Sequence, residues 1–69
     1  MFEEYDVVRL VADMPSRGLK AGTRGTIVMV YPSDPPAYEV EFCDEQGNTL
    51  AIETVKEQQI EKSTCGECH

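Results

Sequence analysis

The chain has 69 residues, enough for one small domain. It carries 13 acidic and 6 basic side chains and a net charge of −7 at pH 7, so it repels polyanions, and nucleic-acid binding is not expected. No apolar run approaches the roughly 20 residues that cross a bilayer, and the N-terminus lacks the basic start and apolar core of a secretory signal, so we expect a cytoplasmic protein with no membrane association.

The first predicted elements are a strand and a long loop. The strand covers about residues 5–11, with Val8 and Leu10 facing inward. Residues 12–21 contain proline and glycine and show no sustained periodicity, which predicts an irregular connection. Leu19 is its expected apolar anchor.

The clearest strand pair follows at residues 26–31 and 38–43. In the second strand, an apolar set alternates with a mainly acidic one: Tyr38, Val40 and Phe42 against Glu39, Glu41 and Cys43. This pattern predicts a half-buried antiparallel strand with its acidic side outward. Pro32, Pro35 and Pro36 lack the backbone N–H that a sheet needs, so the segment between the strands is predicted to be a loop.

In the first strand of this pair, both alternating sets are apolar. We expect the first set to face the core and the second to face outward: Thr26, Val28 and Val30 against Ile27, Met29 and Tyr31. Gly22 and Gly25 precede the strand at a spacing that suits a tight turn with positive φ.

The last predicted elements are a turn and two strands. Gly47 and Asn48 suit a polar turn at residues 44–48. Residues 49–54 form the next strand, in which Leu50 and Ile52 alternate with Ala51 and Glu53. A short helical turn within 55–62 leads to a final strand that contains Ile60. Together these elements predict an all-β fold, a small, strongly bent, antiparallel SH3-like barrel of four to five strands with a long first loop. The barrel is assigned to residues 1–62, and residues 63–69 form a flexible tail.

Three short motifs carry a resemblance to a known family. They are DVVRL at 6–10, GTIV at 25–28 and YEVEF at 38–42. Residues 5–60 resemble a family of short bacterial proteins catalogued as a domain of unknown function, and more distantly the barrel domain of the nitrile hydratase β subunit and its activator proteins. The resemblance implies an SH3-like barrel and no established activity. A role as an enzyme subunit or assembly factor follows only by analogy of fold.

The tail ends in Cys65-Gly66-Glu67-Cys68-His69, a C-x-x-C-H motif. This is the attachment sequence for c-type haem, but no export signal accompanies it. Cys65, Cys68 and His69 also offer three of the four ligands of a tetrahedral zinc site, to which Cys43 or a second chain would add the fourth. The alternatives are a redox pair and a tail without function in this protein. We expect no resident cofactor, with zinc as the alternative.

No catalytic signature is present. His69 is the only histidine, and a terminal residue is poorly placed to act as a general base. Glu39 and Glu41 share one strand face and imitate a carboxylate pair, but a small barrel leaves little room for a substrate cleft. The sequence therefore predicts a protein that is not an enzyme.

The outward apolar residues favour an interaction surface over a catalytic site. We predict an uncharacterised, non-catalytic, protein-interaction or subunit-like module whose partner is a basic protein or a second copy of the chain. The predicted partner-binding residues are Met29, Tyr31, Pro35, Pro36, Glu39 and Glu41. The alternative is a zinc-binding or redox accessory protein that uses the C-terminal motif.

Overall fold

A computed structural model describes residues 2–63, which form five antiparallel strands in one sheet. The strands are β1 (Val7–Leu10), β2 (Arg24–Tyr31), β3 (Ala37–Cys43), β4 (Thr49–Lys56) and β5 (Ile60–Lys62). Two 3-10 turns, Pro15–Arg17 and Glu57–Gln59, are the only helical elements in this part of the chain. The predicted all-β fold is confirmed. Among residues 2–63, no helix has the length and apolar character needed to span a membrane.

The strand order β4-β3-β2-β1-β5 shows that the sheet is strongly curved. In a flat sheet of five strands, the two edge strands would lie about 19 Å apart. Only Glu57–Gln59 joins the two edge strands β4 and β5, and the four residue steps from Lys56 to Ile60 span at most about 14 Å. The sheet therefore curls toward a barrel, with its core inside the curve.

The core consists of nine buried side chains from all five strands and the first loop. They are Val8, Leu10, Leu19, Ile27, Tyr38, Val40, Phe42, Val55 and Ile60. Every inward residue predicted for β1 and β3 is among them, and Leu19 anchors the long loop as expected. Phe2 closes one end of the core. Its ring packs edge-on against the ring of Tyr38, with 5.5 Å between the ring centroids, and its backbone N–H donates to the Tyr38 hydroxyl at 3.1 Å.

A β-bulge reverses part of the pattern predicted for β2. Thr26 pairs with outward-facing Glu41, whereas Ile27 pairs with Val40 and is fully buried. The register then shifts between Ile27 and Met29, so the inward set resumes at Val30. The predicted inward placement of Thr26 and outward placement of Ile27 are wrong, because the bulge adds one residue to the alternation. Met29 and Tyr31 lie outside, as predicted.

β4 is longer than predicted, and its apolar residues Leu50 and Ile52 point outward. Leu50 and Ile52 are 52% and 53% exposed. The inward positions are occupied by Ala51, Glu53 and Val55, which pair with Phe42, Val40 and Tyr38 of β3. The inward carboxylate of Glu53 is balanced by the first loop, since Arg17 Nε lies 3.1 Å from Glu53 Oε1.

Gly22 and Gly25 serve different purposes. Gly22 has a φ of 90°, as the predicted turn requires. Gly25 is already part of β2, has no positive φ, and lies buried against β3. The prediction of a positive φ is right for Gly22 and wrong for Gly25, where the constraint is close packing.

The turn between β3 and β4 is organised by Asp44. Its Oδ1 accepts the backbone N–H groups of Gln46 and Asn48 at 2.9 and 2.8 Å, and its Oδ2 accepts Asn48 Nδ2 at 3.2 Å. Gly47 completes the turn with a φ of 88°. These hydrogen bonds favour the ionised carboxylate and lower the pKa of Asp44, with the backbone N–H of Asn48 as the largest cause.

We predict a pH-dependent effect of Asp44→Asn. A lowered pKa in the folded state means that ionised Asp44 stabilises the fold above its ordinary pKa of 3.8, and that this stabilisation is lost as pH falls through the folded-state value. In urea unfolding, the wild type is therefore more stable than Asp44→Asn by a margin that is full above about pH 5 and shrinks toward pH 2. A margin that stays constant with pH would contradict this role for the charge.

Candidate functional site: the outer face of β2, β3 and β4

The curved sheet has a convex side on which acidic and apolar side chains lie together. We call it the outer face and define it by the outward residues Met29, Tyr31, Glu39, Glu41, Leu50, Ile52 and Thr54. Two rows cross it: Thr26–Glu41–Ile52 and Met29–Glu39–Thr54. The two glutamates occupy the central strand, and each has an apolar side chain on one side and a threonine on the other.

Glu39 is held by hydrogen bonds from both neighbouring strands. Its Oε1 accepts the Thr54 hydroxyl at 2.6 Å and the Tyr31 hydroxyl at 3.3 Å. The negative charge of Glu39 is the main reason that the pKa of Tyr31 is raised. Tyr31 therefore stays protonated and continues to donate to the carboxylate.

Glu41 is held in a similar way at the other row. Its Oε2 accepts the Thr49 hydroxyl at 2.5 Å. Both glutamates are partly buried by their neighbours, and within residues 2–63 neither forms an ion pair with a lysine or arginine. The outer face thus presents two carboxylates that are held by hydroxyl groups and that form no ion pair within residues 2–63.

Four large apolar side chains on this face remain exposed: Met29, Tyr31, Leu50 and Ile52. Single exposed apolar residues are common on soluble proteins, but a group on one sheet face is typical of an interaction surface. Met29 and Tyr31 were predicted from the sequence to belong to such a surface. Leu50 and Ile52 were not, and the structure adds them.

The proline loop lies at one end of the outer face. Tyr31 ends β2 and pairs with Ala37 at the start of β3, so residues 32–36 connect these two strand ends. The Ser33 hydroxyl donates to the Pro35 carbonyl at 2.8 Å and closes the loop on itself. Pro35 is exposed and Pro36 is half-buried. The six predicted partner-binding residues therefore lie on β2, on β3 and in the loop that joins these two strands.

An open groove of about 580 Å³ lies at the opposite end of the sheet. Val7, Thr26 and Leu50 line it, together with the turns at residues 21–23 and 44–47. Arg24 and Cys43 are cross-strand partners and also line the groove. Arg24 forms no ion pair with any residue of the described part, so the groove adds a positive group to a largely acidic molecule.

The predicted metal ligands Cys65, Cys68 and His69 lie outside the described residues. Cys43, which the sequence analysis named as a fourth ligand, lies on the outward side of β3, as predicted, and is half-buried. Within residues 2–63, no group of three or more histidine, cysteine, aspartate or glutamate side chains is arranged to hold a metal ion. The zinc hypothesis therefore stays a prediction.

Comparison with known proteins identifies a family but no characterised relative. No curated protein matches the sequence. No solved structure matches it either. The model of a family described as a domain of unknown function, DUF4926, matches residues 4–62. Since this match covers most of the 69 residues, the protein belongs to the DUF4926 family.

Proposed function

We propose that the protein is a non-catalytic interaction module that binds a partner protein through the outer face. The observation that carries this proposal is the pair of exposed apolar residues, Met29 and Tyr31, beside the fixed carboxylate of Glu39. Such a surface combines apolar area to bury with a charge that orients the partner.

The charges on the outer face indicate the chemistry of the partner. Glu39 and Glu41 are held by hydroxyl groups and form no ion pair in the described part of the chain. A lysine or arginine of the partner would supply the missing counter-charge. The net charge of −7 adds long-range attraction for a basic surface. We therefore propose a partner surface that carries basic side chains next to an apolar patch.

A subunit-like role agrees with this chemistry. We propose that the chain is an SH3-like barrel similar to the barrel domain of the nitrile hydratase β subunit and its activator proteins, and that it acts as a small part of a larger assembly. This part of the proposal rests on analogy of fold. The outer face is the surface through which this subunit-like role can be tested.

The test is a double substitution, Met29→Asp with Tyr31→Lys, in the tagged protein expressed in its own cells. Both side chains are exposed, so the fold should persist. The aspartate places a charge in the apolar patch, and the lysine neutralises Glu39 and removes its hydrogen bond from the Tyr31 hydroxyl. We expect at least a tenfold loss of the co-purified partner, equivalent to about 1.4 kcal/mol, measured by quantitative mass spectrometry.

Val11→Asp provides the matched control. Val11 is 46% exposed and Met29 is 47% exposed, but Val11 lies just after β1, where its N–H donates to Gln59, and not on the outer face. The control should retain the partner, and raising the salt concentration should release the partner from the wild type. Equal recovery with the double variant and the wild type would overturn the proposal.

A further inference from the structure

The two edges of the sheet differ in how well they are protected from pairing with another strand. β5 has three residues, and two of them are in ion pairs: Glu61 with Arg9 and Lys62 with Asp6. Short length and charge are the usual protection of an edge strand. β4 has eight residues and contains no proline, and its only charged side chains are Glu53 and the terminal Lys56. Within residues 2–63, β4 is therefore the less protected edge.

The backbone of β4 has hydrogen-bonding groups that point away from the sheet. In an antiparallel pair, the N–H and C=O groups of every second residue face the same neighbour. The N–H of Lys56 donates to Gln59 Oε1 at 2.7 Å and so does not face β3. The same groups of Thr54 and Ile52, two and four residues earlier, also point to the open edge. In the described part of the chain, β4 pairs with β3 alone.

The side chains on this edge suit a second strand of the same kind. Leu50 and Ile52 are exposed on the outer side. The charge of Glu53 points inward and is paired with Arg17, so it does not repel an approaching strand. The unpaired N–H and C=O groups of an edge strand can form hydrogen bonds with another edge strand. The β4 strand of a second copy of the chain offers the same groups.

We propose that two copies of the chain associate by antiparallel pairing of their β4 edges across a two-fold axis at Ile52. This register places Ile52 opposite Ile52 of the second copy and Leu50 opposite Thr54. Glu53 then faces Ala51, so no like charges meet. A two-fold axis at Glu53 would place two carboxylates opposite each other, which destabilises a strand pair. The apolar side chains of both edges join in one cluster, and two five-stranded sheets become one of ten strands.

The proposal is tested by sedimentation equilibrium over a concentration series up to the millimolar range. This range is needed because a contact between two eight-residue strands is small, and small interfaces bind weakly. Reducing agent and a chelator are present throughout, so that neither disulfides nor metal ions at the C-terminal cysteines can link two chains. We expect the mass to rise toward twice that of the monomer. Because each copy carries a charge of −7, the association should strengthen with added salt, opposite to the binding of a basic partner.

Two charge substitutions separate the edge from the rest of the outer face. Ile52→Lys places two lysines opposite each other at the two-fold axis, and we expect a monomer at every concentration. Met29→Lys makes the same change at a residue of similar exposure on β2, and we expect it to retain the dimer. Thermal unfolding of both variants at low concentration verifies that each is folded.

Amide hydrogen exchange provides a readout specific to strand pairing. The amides of Ile52 and Thr54 should become at least tenfold slower to exchange as concentration rises, while those of exposed loop residues should not change. A monomer at all concentrations, or a dimer that persists in Ile52→Lys, would overturn the proposal. Neither result affects the binding of a basic partner through Met29 and Tyr31, so the two proposals fail separately.

Discussion

Phe42→Ala is expected to remove a large share of the free energy of unfolding. Phe42 lies in the middle of the core with no exposed area, and removal of a buried phenylalanine side chain costs about 3 to 5 kcal/mol. A domain of this length has a total free energy of unfolding of only about 3 to 10 kcal/mol. Urea denaturation followed by circular dichroism should show a much lower midpoint or no folded baseline.

Ile52→Ala is the matched control at an apolar residue of the adjacent strand. Because Ile52 is exposed, its truncation at low protein concentration should change the free energy of unfolding by no more than about 0.5 kcal/mol. Similar losses for Phe42→Ala and Ile52→Ala would mean that β4 faces inward through Leu50 and Ile52, and that the outer face has been assigned to the wrong side of the sheet.

Gly25→Ala is the second substitution with a large expected effect. A Cβ at Gly25 would lie 2.6 Å from Val40 Cγ1 and 2.8 Å from the backbone carbonyl oxygen of Glu41. The carbonyl cannot move without separating β2 from β3, so we expect a loss of about 1 to 3 kcal/mol or more in the free energy of unfolding. Chemical denaturation measures it.

Arg24→Ala tests whether the effect of Gly25→Ala is local to the glycine. Arg24 precedes Gly25 in β2 and is exposed, so its truncation should change stability by no more than about 0.5 kcal/mol. If Gly25→Ala were as mild as Arg24→Ala, the close approach of β2 to β3 at this position would be wrong.

The sequence predicted β3 well because one set of its side chains is apolar and the other is mainly acidic. Only one orientation of such a strand buries Tyr38, Val40 and Phe42, and the structure has it. In β2 both sets are apolar, so the pattern did not decide between them. The bulge after Ile27 depends on pairing with β3, which the pattern of a single strand does not contain.

The candidate site was predicted in part for related reasons. Met29, Tyr31, Glu39 and Glu41 were identified from strand alternation. Leu50 and Ile52 were not assigned to the surface from the sequence, because the alternate set contains Glu53 and a charged side chain usually faces solvent. The charge of Glu53 is balanced by Arg17, which lies 36 positions earlier in the first loop and reaches Glu53 only in the folded chain. One signal was available in the sequence. If β4 continues to Val55, then Val55 lies on the same side of the strand as Ala51 and Glu53, and burial of Val55 turns that side inward.

Site-specific photo-crosslinking in cells tests the central claim most directly. A photoreactive amino acid is placed at position 29 on the outer face or at position 11, where Val11 has the same exposure but lies off that face. We predict a crosslink from position 29 to a protein with a basic surface, and little or none from position 11. Equal crosslinking from both positions, or none from position 29, would contradict the assignment of the outer face as a binding surface.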